Sequence, residues 1–234
     1  MRSPIGPILM NLSSSYLQIY EALKERFGYQ HWWPARTPFE VCVGAVLTQN
    51  TNWANVEKAI SNLGKADCLS PARIAAVPES RLRELIRPAG YFRQKSQRLK
   101  RMACWVVEIC GDDARLDALA QRDPGSLRAS LLELRGIGPE TADSILLYAL
   151  NRPVFVVDAY TARILGRHGL ISPESGYDEI QAELEAALPH DPALFGDFHA
   201  QLVRLGKECC RKTAPRCGEC PLEPLLGAGE VDPS

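Results

Sequence analysis

The most informative segment of this chain reads Leu134-Arg135-Gly136-Ile137-Gly138-Pro139-Glu140-Thr141-Ala142. Two glycines separated by one residue, then a proline suited to the first position of a helix, predict a tight turn that opens into a helix over residues 144–150. The backbone N–H groups of such a turn and the positive end of the helix dipole favour an anion. The pattern alone therefore predicts either a phosphate-binding turn or an ordinary connection between two helices.

Helix starts are marked clearly along the rest of the chain. A side chain able to cap a helix stands directly before a proline, as is typical of a helix start, in Thr37-Pro38, Ser70-Pro71, Asp123-Pro124, Ser172-Pro173 and Asp191-Pro192. Apolar residues recur between these starts at helical spacing, as in Tyr16, Tyr20, Leu23 and Phe27. Strand signals are confined to residues 154–157, which are better interpreted as a connector. The sequence therefore predicts an all-α protein of many short helices.

Composition narrows the class of protein. The 234 residues suffice for one or two domains, and the formal net charge of −1 argues against a protein that coats nucleic acid. Because the sequence contains no recognisable secretory signal and no apolar run of about 20 residues, we expect a cytoplasmic protein without membrane association, nucleoid-associated if bacterial. Its eight cysteines are therefore interpreted as thiols or metal ligands rather than disulfides.

A run of basic residues follows Gly90 and is compatible with a local DNA-binding face. It comprises Arg93, Lys95, Arg98, Lys100 and Arg101. A solvated helix face is the commoner explanation for a charge run of this size. The run therefore supports nucleic-acid binding only in combination with other features.

Asp158 begins the next recognisable helix, eighteen residues after Glu140. Aspartate is a preferred N-cap residue, and capping alone would stabilise the helix by about 1 kcal/mol. The helix dipole also keeps such a carboxylate ionised, while the backbone fixes its position. Asp158 is therefore a helix cap and a candidate catalytic carboxylate at once.

With Asp158 included, residues 134–169 resemble the helix-hairpin-helix DNA glycosylases of the endonuclease III type. In that family a Gly/Pro-rich loop leads to the catalytic aspartate, which corresponds to Asp158. The family also has a glutamine that fills the gap left by the extruded base, and the similar segment here reads Ala45-Val46-Leu47-Thr48-Gln49-Asn50-Thr51. The resemblance implies a monomeric enzyme that binds double-stranded DNA containing a damaged base. Its DNA-binding residues would be Gln49, Gly136, Gly138 and Thr141.

The same resemblance implies the domain organisation. Residues 30–149 would form a helical-barrel domain that ends in the helix-hairpin-helix. Residues 1–29 and 150–234 would form a second helical domain, which includes the cysteine-containing C-terminal loop. The family fold has two helical lobes, and we expect the active cleft between them.

Within the family, the chain looks closer to the branch of 3-methyladenine DNA glycosylase III and its endonuclease III-related relatives. The features that suggest this branch are His31-Trp32-Trp33-Pro34, Trp53 and the glutamate of Gly138-Pro139-Glu140-Thr141-Ala142. The resemblance implies an alkylated base as substrate. Because such a base is cationic, Trp32, Trp33 and Trp53 are candidate stacking faces, with Lys207 in the same pocket. The alternative for the tryptophans is core packing.

Glu140 stands where endonuclease III carries the lysine that attacks the sugar before strand cleavage. A carboxylate cannot form an imine, so the resemblance implies a monofunctional glycosylase without efficient lyase activity on abasic sites. A simpler reason for Glu140 is that a negative charge is favourable in the first turn of a helix. Two other functions stay open: an oxidised-pyrimidine glycosylase with residual lyase activity, and a protein that binds lesions without catalysis.

The resemblance ends in a cysteine loop. Cys210, Cys217 and Cys220 have the spacing of the family's four-iron four-sulfur cluster, but Leu226 stands where the fourth cysteine is expected. Neighbouring side chains on a helix point about 100° apart, so Cys209 and Cys210 would not both reach one metal. The alternatives are a cluster with a non-cysteine or solvent ligand, another metal such as zinc, or an empty remnant held by packing of Pro221, Leu222 and Leu225. We favour the absence of an intact cluster.

Overall fold

The structure is a computed structural model that describes residues 12–111 and 116–226. The α-helices of this part are α1 (Leu12–Phe27), α2 (Pro38–Thr48), α3 (Trp53–Lys65), α4 (Pro71–Ala76), α5 (Glu79–Leu85), α6 (Phe92–Cys110), α7 (Pro124–Leu132), α8 (Pro139–Ser144), α9 (Ala159–Arg167), α10 (Tyr177–Ala187), α11 (Pro192–Glu208) and α12 (Glu223–Leu226). Short 3₁₀ turns lie at Arg87–Ala89, Leu116–Gln121 and Cys217–Glu219, and a π-helical turn at Ile145–Ala149 extends α8. The described residues contain no strand, and the predicted all-α class is confirmed.

The helices belong to two compact units. One unit spans Trp33–Val154 and contains α2 to α8. The other unit combines the chain up to Trp32 with the chain from Phe155 onward. In that second unit α1 packs on α10 and α11, and α9 packs on α11. None of the described helices is both long enough and apolar enough to cross a bilayer.

Helix capping explains where many of these helices begin. The side chains of Thr37, Ser70, Asp123 and Asp191 each accept a hydrogen bond from a backbone N–H in the first turn of the helix that follows. Each bond satisfies an N–H group that has no partner within the helix. Four of the predicted starts, at Pro38, Pro71, Pro124 and Pro192, are therefore confirmed.

The predicted helix start at Ser172-Pro173 is wrong. The N–H of Ser175 donates to the carbonyl of Ser172 at 3.0 Å and closes a turn there. The next helix, α10, begins only at Tyr177, where the carboxylate of Glu179 accepts from the N–H of Gly176 at 2.9 Å. An acidic residue in the first turn thus competes better for the helix start than the serine-proline pair does.

The longest helix of the described residues, α6, lies in the core of the Trp33–Val154 unit. Its residues Leu99, Met102 and Val106 are fully buried. Lys95 lies on the same side of the helix and is only 1% exposed, whereas Arg93 is exposed. The basic run is therefore not a single solvated face, because one of its members is directed into the core.

The buried Lys95 ammonium joins two turns of the chain. Its Nζ donates to the carbonyls of Leu47 at 2.7 Å and Ala89 at 2.9 Å, and to the hydroxyl of Thr51 at 2.5 Å. Burial, and to a lesser extent the charge of Arg98, lower the pKa of Lys95 to about 8. These acceptors offset part of the cost of burying the cation, and in doing so they fix the end of α2 against the turn before α6.

The lowered pKa of Lys95 predicts that stability rises with alkaline pH. An unfolded lysine titrates near about 10.4, so between about pH 8 and that value the unfolded chain binds more protons than the folded protein, and the free energy of unfolding rises with pH. We expect Lys95→Met to flatten this rise in urea denaturation series, relative to the wild type and to a control variant of the exposed Lys65, Lys65→Met. An unchanged pH slope in Lys95→Met would contradict the assignment.

Candidate active site

The glycine turn joins α7 to α8 and forms a helix-hairpin-helix. Gly136 adopts a φ of +95°, in the region that favours glycine, and Gly138 is the N-cap of α8. Between them the N–H of Ile137 donates to the carbonyl of Leu134 at 2.9 Å, and the Ile137 side chain is buried. The turn therefore opens directly into a helix, as the sequence predicts, but the predicted bounds of 144–150 are wrong. Pro139 starts the helix, so α8 spans Pro139–Ser144, and the π-helical turn follows at Ile145–Ala149.

An ion pair braces the two helices of the hairpin. The Arg128 guanidinium donates from Nε to Oδ1 of Asp143 at 2.8 Å and from Nη2 to Oδ2 at 3.1 Å. The Asp143 side chain is fully buried. Two parallel bonds constrain the angle of approach as well as the distance, so the pair fixes the orientation of α7 relative to α8.

Arg98 of α6 lies directly against the hairpin. A Cβ added at Gly136 would lie 2.5 Å from Nε and 2.8 Å from Cγ of Arg98. Nη1 of Arg98 donates to Oε1 of Gln49, and Nε2 of Gln49 donates to the carbonyl of Gly136 at 3.1 Å and to the hydroxyl of Thr141 at 2.9 Å. The structure thus brings together Gln49, Gly136 and Thr141, all predicted from sequence as DNA-binding residues. It adds Arg98, which the sequence placed only in a basic run compatible with a DNA-binding face.

Hydrogen bonds within the protein determine which groups of these residues are available to DNA. Thr141 is only 6% exposed, and its hydroxyl accepts from Gln49, so its side chain supports Gln49 instead of reaching outward. Gln49 is half-buried, and both ends of its amide are hydrogen-bonded within the protein. Glu140 is exposed in the first turn of α8, where the helix dipole favours its charge.

Two of the predicted base-pocket residues, Trp33 and Trp53, contact each other within one unit. Trp33 and Trp53 meet edge to face, with ring centroids 5.3 Å apart, and Tyr148 lies against Trp33 at 5.3 Å. All three belong to the Trp33–Val154 unit. Trp32 is half-buried and Lys207 is exposed in the last turn of α11, and both belong to the other unit. Tyr148 was missed by sequence reasoning, because it sits in an apolar helical stretch that reads as core.

Asp158 caps α9 and is held by two sets of contacts. Its Oδ1 accepts from the N–H of Thr161 at 2.7 Å and from the Thr161 hydroxyl at 3.0 Å, while its Oδ2 lies 3.6 Å from Nε2 of His199. Burial acts to raise the pKa of this carboxyl, but His199 and the Thr161 hydrogen bonds outweigh it and keep the pKa below the usual value. Asp158 is therefore ionised at neutral pH.

Close packing of α9 on α11 sets this arrangement. A Cβ at Gly206 would lie 2.9 Å from Cγ of Tyr160, so the ring sits where any larger residue at 206 would clash. Arg163 of α9 donates to the carbonyls of Gly206 at 3.3 Å and Cys210 at 3.0 Å. Only glycine at position 206 allows the start of α9 to approach α11 this closely.

The cysteine loop does not fit a four-ligand cluster. Among residues 12–111 and 116–226, no three His, Cys, Asp or Glu side chains are placed to hold a metal ion. Nη1 of Arg167 lies 3.5 Å from Sγ of Cys210 and donates to the carbonyl of Arg211 at 2.7 Å. Burial raises the pKa of Cys220, which favours a thiol over the thiolate that a metal requires. Cys217 is half-buried in the same loop. No step of the chemistry is therefore assigned to a metal.

Comparison with known proteins identifies the family. Residues 43–190 match the model of the HhH-GPD superfamily of base excision DNA repair proteins. The chain belongs to this superfamily. The sequence-based assignment to endonuclease III-like helix-hairpin-helix DNA glycosylases is confirmed.

Three relatives show which DNA repair enzymes this HhH-GPD protein is similar to. A Methanocaldococcus jannaschii protein, named provisionally as a DNA repair glycosylase, is 48% identical over 88% of this chain and 93% of its own length. Endonuclease III of Thermotoga maritima is 32% identical over 87% of this chain and 88% of its own. The structure of H. pylori 3-methyladenine DNA glycosylase bound to 1,N6-ethenoadenine aligns with a TM-score of 0.71 and 31% identity, over 83% of this chain and 97% of the other. The protein is thus a DNA N-glycosylase.

The close contact between Gly136 and Arg98 predicts a mutational effect on DNA binding by this HhH-GPD glycosylase. Gly136→Ala requires a left-handed conformation that costs alanine about 1–2 kcal/mol, and its Cβ would displace Arg98. We expect weaker binding of duplex DNA, measured by fluorescence anisotropy. Gly111→Ala is the matched control, because it also requires a left-handed conformation, but its Cβ would meet nothing within 4 Å. Equal losses in the two variants would contradict the role of the Arg98 contact.

Proposed function

We propose that this glycosylase hydrolyses the N-glycosidic bond of an alkylated base in double-stranded DNA and leaves the abasic strand uncut. The observation that carries the proposal is a pair of carboxylates. Asp158 is fixed at the start of α9 and kept ionised, while Glu140 stands in the hairpin where a lyase of this family needs an amine. The first carboxylate supports hydrolysis, and the second is incompatible with imine formation.

Binding has to expose a bond that is unreachable in the stacked duplex. Extruding the nucleotide costs a few kcal/mol, least for a damaged base. In our proposal the Gly136–Gly138 turn binds the backbone of the DNA, and the Gln49 amide enters the space that the base vacates. Because that amide is hydrogen-bonded to Gly136 and Thr141 in the free protein, DNA has to replace those bonds.

Chemistry then depends on the Asp158 carboxylate. As the glycosidic bond lengthens, the sugar acquires the character of an oxocarbenium cation, which a nearby carboxylate stabilises. Because Oδ1 is occupied by the N–H and the hydroxyl of Thr161, we assign this role, and the orientation or deprotonation of the attacking water, to Oδ2. An alkylated purine already carries a positive charge, so its departure needs no strong acid.

An alkylated base is supported by two observations. The H. pylori relative is a 3-methyladenine DNA glycosylase, and it shares 31% identity with this chain. The Trp33, Trp53 and Tyr148 rings provide electron-rich faces on which a cationic base can stack. Trp32 and Lys207 belong to the other unit, and their place in the base pocket stays a prediction from the family resemblance.

A second candidate is an oxidised-pyrimidine glycosylase with residual lyase activity. It is favoured by the 32% identity to an endonuclease III. A screen of base release from methylated, oxidised and deaminated duplexes separates the two candidates. Release from the methylated duplex is the expected result, and release from the oxidised duplex alone would favour the second candidate.

The catalytic role of Asp158 is tested by Asp158→Asn. Asparagine still caps a helix, so the fold is kept while the negative charge is lost. We expect single-turnover base release to fall by about 100-fold or more, with unchanged affinity for DNA that carries an abasic-site analogue. Asp123→Asn is the matched control, because Asp123 caps α7 in the same way. Undiminished release by Asp158→Asn would refute the mechanism.

The absence of lyase chemistry is tested by borohydride trapping on abasic DNA. The wild type should give no covalent adduct, and neither should Glu140→Gln, because neither side chain supplies an amine at that position. An endonuclease III serves as the positive control. A strong adduct with the wild-type protein would overturn our interpretation of Glu140.

A further inference from the structure

His199 is a buried polar residue on α11, the helix that binds the N-terminal segment of its unit. That segment is bound by other buried residues of the same helix. Asp197 accepts from the N–H of Gln30 at 2.7 Å, and Gln201 donates to the carbonyl of Gly28 at 2.7 Å. Because residues two apart on a helix point in nearly opposite directions, His199 is turned away from this segment.

The side of α11 that carries His199 is the side that receives α9. Gly206 lies seven residues after His199, two helical turns away and on the same face. The Tyr160 ring of α9 fills the space above Gly206. Two residues before Tyr160, Asp158 then meets His199, with Oδ2 3.6 Å from Nε2. The glycine contact therefore sets the distance at which the histidine and the carboxylate face each other.

The two carboxylate oxygens of Asp158 have separate partners. Thr161 saturates Oδ1 with a backbone N–H and a hydroxyl, whereas Oδ2 faces the imidazole. The side chains of His199 and Asp158 are only 9% and 11% exposed, so water screens this contact weakly. We propose that His199 is a positioning residue which, from Nε2, orients Oδ2 of Asp158 and keeps the carboxylate ionised for the reaction. This inference rests on the proposed catalytic role of Asp158.

Burial is the reason why the Asp158 carboxylate needs a partner such as His199 to stay ionised. Burial of Asp158 alone would raise its pKa, and a protonated carboxyl cannot stabilise a sugar cation. Three other charged or titratable groups on the packed elements bind partners other than Asp158. Arg163 of α9 donates to the Gly206 and Cys210 carbonyls, Tyr20 of α1 interacts with Asp197, and Arg204 of α11 donates to the Phe27 carbonyl. Removing His199 should therefore shift the acidic limb of the reaction to higher pH.

Two variants that differ in side-chain length test the contact between His199 and Asp158. The amide nitrogen of glutamine extends about as far as Nε2 of histidine, whereas that of asparagine falls short of Oδ2. We expect His199→Asn to lower single-turnover base release from methylated duplex by about tenfold at neutral pH and to move the acidic limb of its pH profile up by about one unit. His199→Gln should keep the wild-type profile and most of the rate.

Separate control measurements test whether each variant still folds and binds DNA. Gln201→Leu removes a buried polar group from the same helix without touching Asp158, and it should leave the pH profile unchanged. Melting temperature and anisotropy with a duplex that contains a tetrahydrofuran abasic-site analogue are measured for every variant. Affinity should not change, because the proposed role of His199 is exerted through Asp158 alone.

The outcomes separate this inference from the function on which it rests. If the wild type releases bases, Asp158→Asn does not, and His199→Asn and His199→Gln share the wild-type profile, the inference is overturned while the function stands. If His199→Asn and His199→Gln are impaired alike without a shift of the acidic limb, His199 is only a packing residue, and the inference is again overturned. If the wild type releases no base from any damaged duplex, the proposed function fails first.

Discussion

One buried cation organises the unit that carries the hairpin. The ammonium of Lys95 binds the carbonyl at the end of α2, the hydroxyl of Thr51 and the carbonyl of Ala89, so two turns distant in sequence are fixed together. Three residues further along α6, Arg98 reaches both Gln49 and the face of Gly136. Hydrogen bonds consequently join three parts of this unit: the turn that follows α2, helix α6 and the hairpin. A displacement of one of them strains the hydrogen bonds to the others.

In the second unit, the buried carboxylate of Asp158 keeps its charge, whereas burial favours the neutral form of Lys95 in the first. Burial and the charge of Arg98 ease the loss of a proton from Lys95, whereas at Asp158 burial is outweighed by Thr161 and His199, which preserve the carboxylate. The difference follows from the partners. Backbone carbonyls and hydroxyls accept from an amine in either protonation state, but N–H donors stabilise specifically the ionised acid. The same physical cost, desolvation, therefore yields a structural group in one unit and a candidate reactive group in the other.

Local features of this chain were predictable from sequence, and contacts between helices were not. The cap–proline pairs at Thr37 and Asp191, the hairpin glycines and the cap at Asp158 each depend on a few consecutive residues. Arg98, Tyr148 and His199 gain their meaning from the register in which one helix packs on another, which no short pattern encodes. The predicted helix start at Ser172-Pro173 is wrong for a related reason. A more favourable helix start, in which Glu179 accepts from the N–H of Gly176, lies four residues further along the chain.

The contact between Tyr160 and Gly206 has a consequence for how this protein can change over evolutionary time. An aromatic ring occupies the volume that a methyl group at position 206 would need, so Gly206 cannot be replaced by a larger residue while Tyr160 is present. A larger residue at 206 becomes tolerable only after Tyr160 has been replaced by something smaller, and that order opens a cavity before it is filled. Paired substitution at these two positions is thus the expected signature among descendants that keep α9 seated on α11.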